Sequence, residues 1–264
     1  MNCFIASIGS RSFIRRRSNA MTQELDRQAV DEISFAQRIA DTLQLVQKTL
    51  PVQRRMVHAG DTIYQVGQEF GSLYVVNSGL VKMVNLSSEG REQVVAVHFR
   101  GDWLGLDGIA GGRYGCDAVA MDTGEVWSFR YDDLLRTALR TPALLTALHE
   151  AMSRQLARDH ESLQSLCALP ADARVAAFLQ YWAEAMARRG LRTDQISLRM
   201  TRAEIGNYLG MTLETVSRAL SRLARSDVIR FIEKGRREIH IPRVEALTSF
   251  IAQVAAPSGA RAFH

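Results

Sequence analysis

Hydrophobic and polar positions change rhythm along this chain, and each rhythm predicts a different kind of element. Over residues 24–50 a polar, helix-type stretch carries Leu43, Leu45, Val46 and Leu50 as its apolar positions. From about residue 54 the rhythm shortens. Apolar runs such as Ser72-Leu73-Tyr74-Val75-Val76, Leu80-Val81-Lys82-Met83-Val84 and Gln93-Val94-Val95-Ala96-Val97 alternate with the turn clusters His58-Ala59-Gly60-Asp61, Asn77-Ser78-Gly79 and Arg100-Gly101-Asp102. Glycine and asparagine supply the positive φ of tight turns. Many short strands at close spacing predict an antiparallel sandwich or roll, which continues to about Phe129.

The rhythm lengthens again near Pro142, a residue suited to a first helical turn. Leu145, Leu148, Met152 and Leu156 recur at spacings of three and four, and the stripe resumes at Leu163 and Leu166. A helix from 142 to about 168 spans about 40 Å at about 1.5 Å per residue. Such a stripe packs on its own domain or forms a seam with a second copy. Its length favours the seam, with Leu145, Leu148, Met152, Leu156 and Leu163 as contacts. Leu169-Pro170 breaks the helix. A second amphipathic helix follows from about 171 to 189, with Val175, Phe178, Leu179, Trp182 and Met186 on one side.

Residues 199–241 carry the most specific signal. Thr201-Arg202-Ala203-Glu204 is a capping box, which opens a helix ending at Leu209-Gly210. Thr212 caps a second helix from Leu213 to about Arg225. Two helices joined through a glycine-containing turn make a helix-turn-helix. Small Gly206 lets them cross closely. On the second helix Val216, Leu220 and Leu223 form the apolar face, while Glu214, Ser217 and Arg218 share the polar one. A helix that packs on one side and offers a short polar code on the other suits the major groove. Arginine pairs with guanine O6 and N7, and glutamate accepts from cytosine N4. Thr201, Thr212, Thr215 and Arg222 are candidate phosphate contacts. Val228–Ile232 and Glu238–Ile241 then flank Glu233-Lys234-Gly235-Arg236-Arg237, a hairpin with a basic tip. That is a wing, with Lys234, Arg236 and Arg237 suited to phosphates.

Charge follows the same division. Residues 171–264 hold 15 Lys+Arg and 9 Asp+Glu, whereas residues 21–170 hold 14 and 19. A basic final third beside an acidic middle assigns the polyanion partner to the C-terminal part. Arg11, Arg15, Arg16 and Arg17 make residues 1–23 a basic arm without the apolar run of a secretory signal. No stretch has the roughly 18 apolar residues of a membrane span. Three scattered cysteines, Cys3, Cys116 and Cys167, point to reduced thiols in a cytoplasmic protein, not a disulfide framework.

The segment Thr201 to Arg218, TRAEIGNYLGMTLETVSR, resembles the DNA-binding motif of the CRP/FNR family of transcription regulators. Glu214-x-x-Ser217-Arg218 is similar to the E-x-x-S-R of its FNR/FixK branch. SLYVVNSGLVKM (72–83) and GDWLGLDGIAGG (101–112) extend the likeness to roughly residues 50–250. The resemblance implies an α+β fold: an N-terminal antiparallel β-roll of the cyclic-nucleotide-binding type, a long dimerisation helix and a C-terminal winged helix-turn-helix. It implies a homodimer on a near-palindromic TTGAT-type site in double-stranded DNA, with Arg218 on the guanine, Glu214 on the partner cytosine and Ser217 on a neighbouring base. Activation is the family's commoner mode, and the loop 106–113 lies where relatives contact RNA polymerase.

The sensing chemistry departs from the family's pattern. An iron–sulfur cluster of the FNR kind takes four cysteines, and this chain has three. The alignment puts Gly124 where the internal ligand belongs. Tyr114-Gly115 stands where cAMP binders carry an Arg-Ser pair, with Arg113 adjacent. For haem, His58, His98, His149 and His160 are candidates without a distinguishing pattern. No cofactor is therefore expected, with cAMP, cGMP or haem as alternatives.

Two other classes fit less well. A cyclic-nucleotide-binding module without DNA has no need of a recognition helix and wing. A cupin-type metalloenzyme needs clustered histidines, whereas 54–130 holds only His58 and His98. No nucleophile elbow, P-loop or dinucleotide fingerprint is present, and no enzyme activity is expected. The expected organisation is a basic arm (1–23), a β-roll with leading helix (24–141), a dimer helix (142–169), a winged helix-turn-helix (170–250) and a tail (251–264).

Overall fold

The structure is a computed structural model that describes residues 35–86, 92–232 and 238–256. The basic arm, Cys3 and the wing tip 233–237 lie outside the described residues. Helix α1 (35–49) leads into strands β1 (Gln53–Val57), β2 (Thr62–Tyr64), β3 (Ser72–Ser78), β4 (Val81–Leu86), β5 (Glu92–His98) and β6 (Trp103–Leu104). After the short helix α2 (Gly108–Gly111) come β7 (Asp117–Ala120) and β8 (Gly124–Arg130). The strands form two antiparallel four-stranded sheets, ordered β1-β8-β3-β6 and β2-β7-β4-β5.

In the sheet that contains β3 and β8, period-two alternation sorts side chains between two cores. On β3, Val76 enters the space between the sheets with Tyr64, Val81, Met83 and Leu104. Its neighbours Leu73 and Val75 point the other way, with Trp127 and Phe129 of β8, and meet the helices. The second core takes Ile39, Leu43 and Val46 from α1, Leu50 just past its end, Leu134 and Ala138 from α3 (Tyr131–Ala138), and the first turns of α4 (Ala143–Ala168). Helix α3 was not anticipated; its eight residues are too short for a persistent periodicity to stand out.

The five expected seam residues along α4 differ in burial. Leu148 is buried in the roll's outer core, and half-buried Leu145 packs against it. Met152, Leu156 and Leu163 are 42%, 58% and 58% exposed and, at spacings of four and seven, lie in one line along the helix. The stripe is continuous in sequence, but the roll covers only its beginning.

Beyond Pro170, α5 (Ala171–Ala187) buries Val175, Phe178, Leu179 and Trp182 as anticipated. Strand β9 (Gln195–Ser197) joins β10 (Arg230–Phe231) and β11 (Glu238–His240) in a sheet ordered β10-β11-β9. The residue pattern predicts no strand at 195–197, because only Ile196 is apolar within a three-residue run. Helix α8 (Val244–Ala255) packs Leu247 into the C-terminal core, so the expected tail from 251 begins as helix.

The two halves share a junction. Val94, Val97 and Phe99 of the roll belong to the same apolar cluster as Trp182, Ile205 and Leu209. Beside them Asp102, 6% exposed, accepts from Arg158 Nη1 of α4 at 2.8 Å and from Arg189 Nη2, just past α5, at 3.1 Å. The Phe99 backbone N–H donates to it as well, at 3.0 Å. A buried carboxylate needs such pairing, because desolvation alone opposes ionisation. The two arginines outweigh it and hold Asp102 below the usual carboxylate range.

His98 lies 3.9 Å from Asp102 and is also buried. Desolvation pushes its pKa down to about 4; Asp102 opposes this, and Arg158 and Arg189 reinforce it. A histidine whose folded pKa is depressed leaves stability intact above its unfolded value. It withdraws stability as pH falls from about 6.5 towards 4. The expected loss over that window is of order 3 kcal/mol. Chemical denaturation at successive pH values should show this slope in the wild type and a flatter one in His98→Gln; superimposable profiles would exclude His98 as its source.

Candidate nucleic-acid interface

Helix α6 (Arg202–Leu209) begins with the capping box intact. Thr201 Oγ1 accepts from the Glu204 N–H at 3.2 Å, and Glu204 Oε2 accepts from the Thr201 N–H at 2.7 Å. Gly210, at φ +60°, ends the helix. Thr212 opens α7 (Leu213–Arg225) by accepting from the Thr215 N–H at 3.3 Å.

The crossing of α6 and α7 depends on Gly206. A Cβ there would sit 2.6 Å from the Met211 carbonyl oxygen, which is backbone and cannot swing aside. Gly206→Ala is expected to destabilise the C-terminal half by about 1–3 kcal/mol, despite alanine's better helix propensity. Thermal unfolding checks this; a stabilised variant would mean the helices part without cost.

Val216, Ala219, Leu220 and Leu223 bury the inner face of α7. The outer face presents Glu214 and Arg218 to solvent, with Ser217 and Ser221 half-buried between them. The Ser221 hydroxyl donates to the Ser217 carbonyl at 2.8 Å. Arg218 Nη2 lies 3.4 Å from Thr215 Oγ1, a loose contact that leaves its fork facing outward. Hydrogen bonds from its own backbone N–H and from Thr212 hold Glu214 below the usual carboxylate range, and Arg218 adds to this, so it stays an acceptor. The three expected base-reading residues therefore share one accessible face.

The expected phosphate contacts divide. Thr212 and Thr215 are exposed and half-buried at the start of α7, with their hydroxyls 3.1 Å apart. The Thr201 hydroxyl is engaged in its cap. Arg222 is ion-paired with Asp172 of α5, a partner that local pattern does not reveal because the two are 50 residues apart. Lys234, Arg236 and Arg237 fall outside the described residues, between β10 and β11, whose pairing of Arg230 with His240 and Phe231 with Ile239 forms the base of the wing.

Known proteins share both halves. Residues 54–141 match the cyclic nucleotide-binding domain, and residues 173–250 match the Crp-like helix-turn-helix domain. The transcriptional regulatory protein btr of Bordetella pertussis is 35% identical over 195 residues, which is 74% of this chain and 81% of that protein. The fumarate and nitrate reduction regulatory protein of Vibrio cholerae is 33% identical over 186 residues, 70% of this chain and 72% of that one. Among solved structures, FixK2 from Bradyrhizobium japonicum aligns with a TM-score of 0.66 at 29% identity, covering 76% of this chain and 97% of that chain. The chain belongs to the CRP/FNR family. It is a transcription regulator of that type, and its helix-turn-helix is α6 and α7.

In this CRP/FNR regulator the residues matched to a sensor are differently placed. Tyr114 is buried in the roll, stacked on Tyr64 with ring centroids 4.1 Å apart, and its hydroxyl donates to the Ser72 carbonyl at 2.8 Å. The Gly115 N–H and the Cys116 thiol both donate to Asp107 Oδ2, at 2.8 and 3.4 Å. Burial, then the neighbouring Asp107, pushes the Cys116 thiol up to about 12, far from a reactive thiolate. Arg113 Nη1 donates to the Gly67 carbonyl at 2.7 Å. Of the four candidate haem ligands, His58, His149 and His160 are exposed and only His98 is buried. Among the described residues no three His, Cys, Asp or Glu side chains group as metal ligands, and no helix is long and apolar enough to cross a membrane.

Proposed function

We propose that this regulator is a cytoplasmic homodimer, without catalytic activity, that binds a TTGAT–N4–ATCAA-type site and activates transcription without a small effector. The observation that carries this reading is the pairing of two exposed features: a base-reading face on α7 and an apolar line on α4. Met152, Leu156 and Leu163 join none of the apolar cores among the described residues, and a two-fold seam between parallel copies of α4 covers such a line. A dimer then presents two copies of α7 to successive major grooves about 34 Å apart. Exposed Ala110, Gly111, Gly112 and Arg113 offer RNA polymerase a surface on the roll.

Independence from cyclic nucleotides is supported by Asp107. Its carboxylate takes the donors at Gly115 and Cys116, so a cyclic phosphate there would meet a negative charge. A cavity of about 330 Å³ between the roll and α4 favours a second reading, a small effector of another kind. It is lined by Trp103, whose buried Nε1 has no hydrogen-bond partner among the described residues, and by Asp107 and Asp159. Those groups suit a neutral or cationic molecule.

Fluorescence anisotropy of purified protein on the palindromic duplex and a scrambled control, at two salt concentrations, tests both readings. Tight, selective binding by a colourless protein supports the effector-free dimer. Weak, unselective binding refutes it, and a haem or iron–sulfur absorbance would then name the missing group.

A further inference from the structure

The roll touches the helix-turn-helix through more than apolar packing. Lys82 Nζ of β4 donates to Glu204 Oε1 at 2.5 Å, and their side chains are 15% and 24% exposed. Glu204 is the same residue whose other oxygen caps the Thr201 N–H. The first turn of the helix-turn-helix is thus tied to the roll by one carboxylate. Nearby, Asn207 Nδ2 of α6 donates to the Glu92 carbonyl of β5 at 3.0 Å. A second tie lies on the far side of the shared core. There Arg189, past the end of α5, donates to Asp102 and to the Arg100 carbonyl, the latter at 2.8 Å. Arg158 adds α4 to the same carboxylate.

The covalent connection between the halves is the single joint at Leu169-Pro170, between α4 and α5. A domain carried on one joint moves relative to its neighbour unless the interface holds it. Two recognition helices must also match the groove spacing of one duplex, so a small rotation at the joint misplaces both. Neither Lys82 nor Asp102 belongs to the DNA-reading half, yet both contact residues of it.

We propose that Lys82 and Asp102 are positioning residues for DNA recognition: paired with Glu204 and with Arg189 and Arg158, they lock the winged domain to its own roll and so set the half-site spacing the dimer accepts. The spacing part rests on the dimeric reading above. The interdomain lock does not.

The test uses the full chain and palindromes whose half-sites are separated by two to six base pairs, with sedimentation velocity on the same samples. Wild type should prefer one spacer by about tenfold or more over its neighbours. Lys82→Met should flatten that preference to about threefold or less, while the penalty for replacing the half-site guanine stays as it was. Lys82→Arg should restore the profile. Glu204→Gln, which keeps the capping box, should behave like Lys82→Met. Hydrogen exchange gives a second reading, with amides of 92–98 and 202–209 both exchanging faster in Lys82→Met. A dimeric Lys82→Met with the wild-type spacer profile and wild-type exchange overturns the proposal. A monomeric wild type refutes the dimer instead, and exchange alone then decides: acceleration in both segments supports the lock, and acceleration confined to 81–86, or none, refutes it.

Discussion

Arg218→Ala should weaken binding to the preferred duplex by about 10- to 100-fold and leave binding to scrambled DNA nearly unchanged. The forked guanidinium is exposed on α7 and makes only a loose contact with Thr215, so little must be broken before it meets a base. A bidentate pair with guanine discriminates by about 1–3 kcal/mol, which sets the size of the loss. Within the folded protein this side chain makes only its loose contact with Thr215 and a favourable charge interaction with exposed Glu214, so thermal unfolding should move little. Arg218→Lys should not rescue, because an ammonium lacks the planar fork. Anisotropy on duplexes changed at each half-site position is the measurement. A variant that still rejects the substituted guanine as strongly as wild type would assign that base to another residue.

Leu156→Glu should convert the protein to a monomer and weaken binding to the full palindrome by more than about 100-fold, because the second half-site then loses its high effective concentration. Leu156 is 58% exposed within one chain, so the substitution removes little from that chain's own cores. In a two-fold seam it sets two carboxylates against each other in an apolar line. Binding to an isolated half-site should change little. Sedimentation velocity and anisotropy on one and two half-sites separate the effects. A dimeric Leu156→Glu with normal palindrome binding would move the interface elsewhere.

Legibility followed the range of the interactions. The helix-turn-helix could be read because its determinants are local: Thr201 and Glu204 are three residues apart, Gly210 ends α6, and Thr212 and Thr215 open α7. The polar code of Glu214, Ser217 and Arg218 follows from helical periodicity alone. The partners of charged residues could not be read this way. Arg222 was assigned to phosphate, and its pairing with Asp172 comes from α5 packing against α7. Strand β9 is set by its pairing with β11, Ile196 opposite Ile239, and three residues carry too little pattern to announce it.

By itself the sequence determined the kinds of element and their order: period-two strands punctuated by turn residues, a long apolar-striped helix, and a capped helix pair followed by a wing. Each of these depends on neighbours within a few positions, where side-chain spacing and backbone preference act directly. Only the tertiary structure decided how the stripe on α4 is divided. It gives Leu148 to the roll and leaves Met152, Leu156 and Leu163 outside, because the roll ends where it does along the helix. It alone brought Asp102 to Arg158 and Arg189 across 56 and 87 residues, and Lys82 to Glu204 across 122. Pairing over such separations is fixed by how whole domains stack, and a one-dimensional pattern carries no distance of that kind.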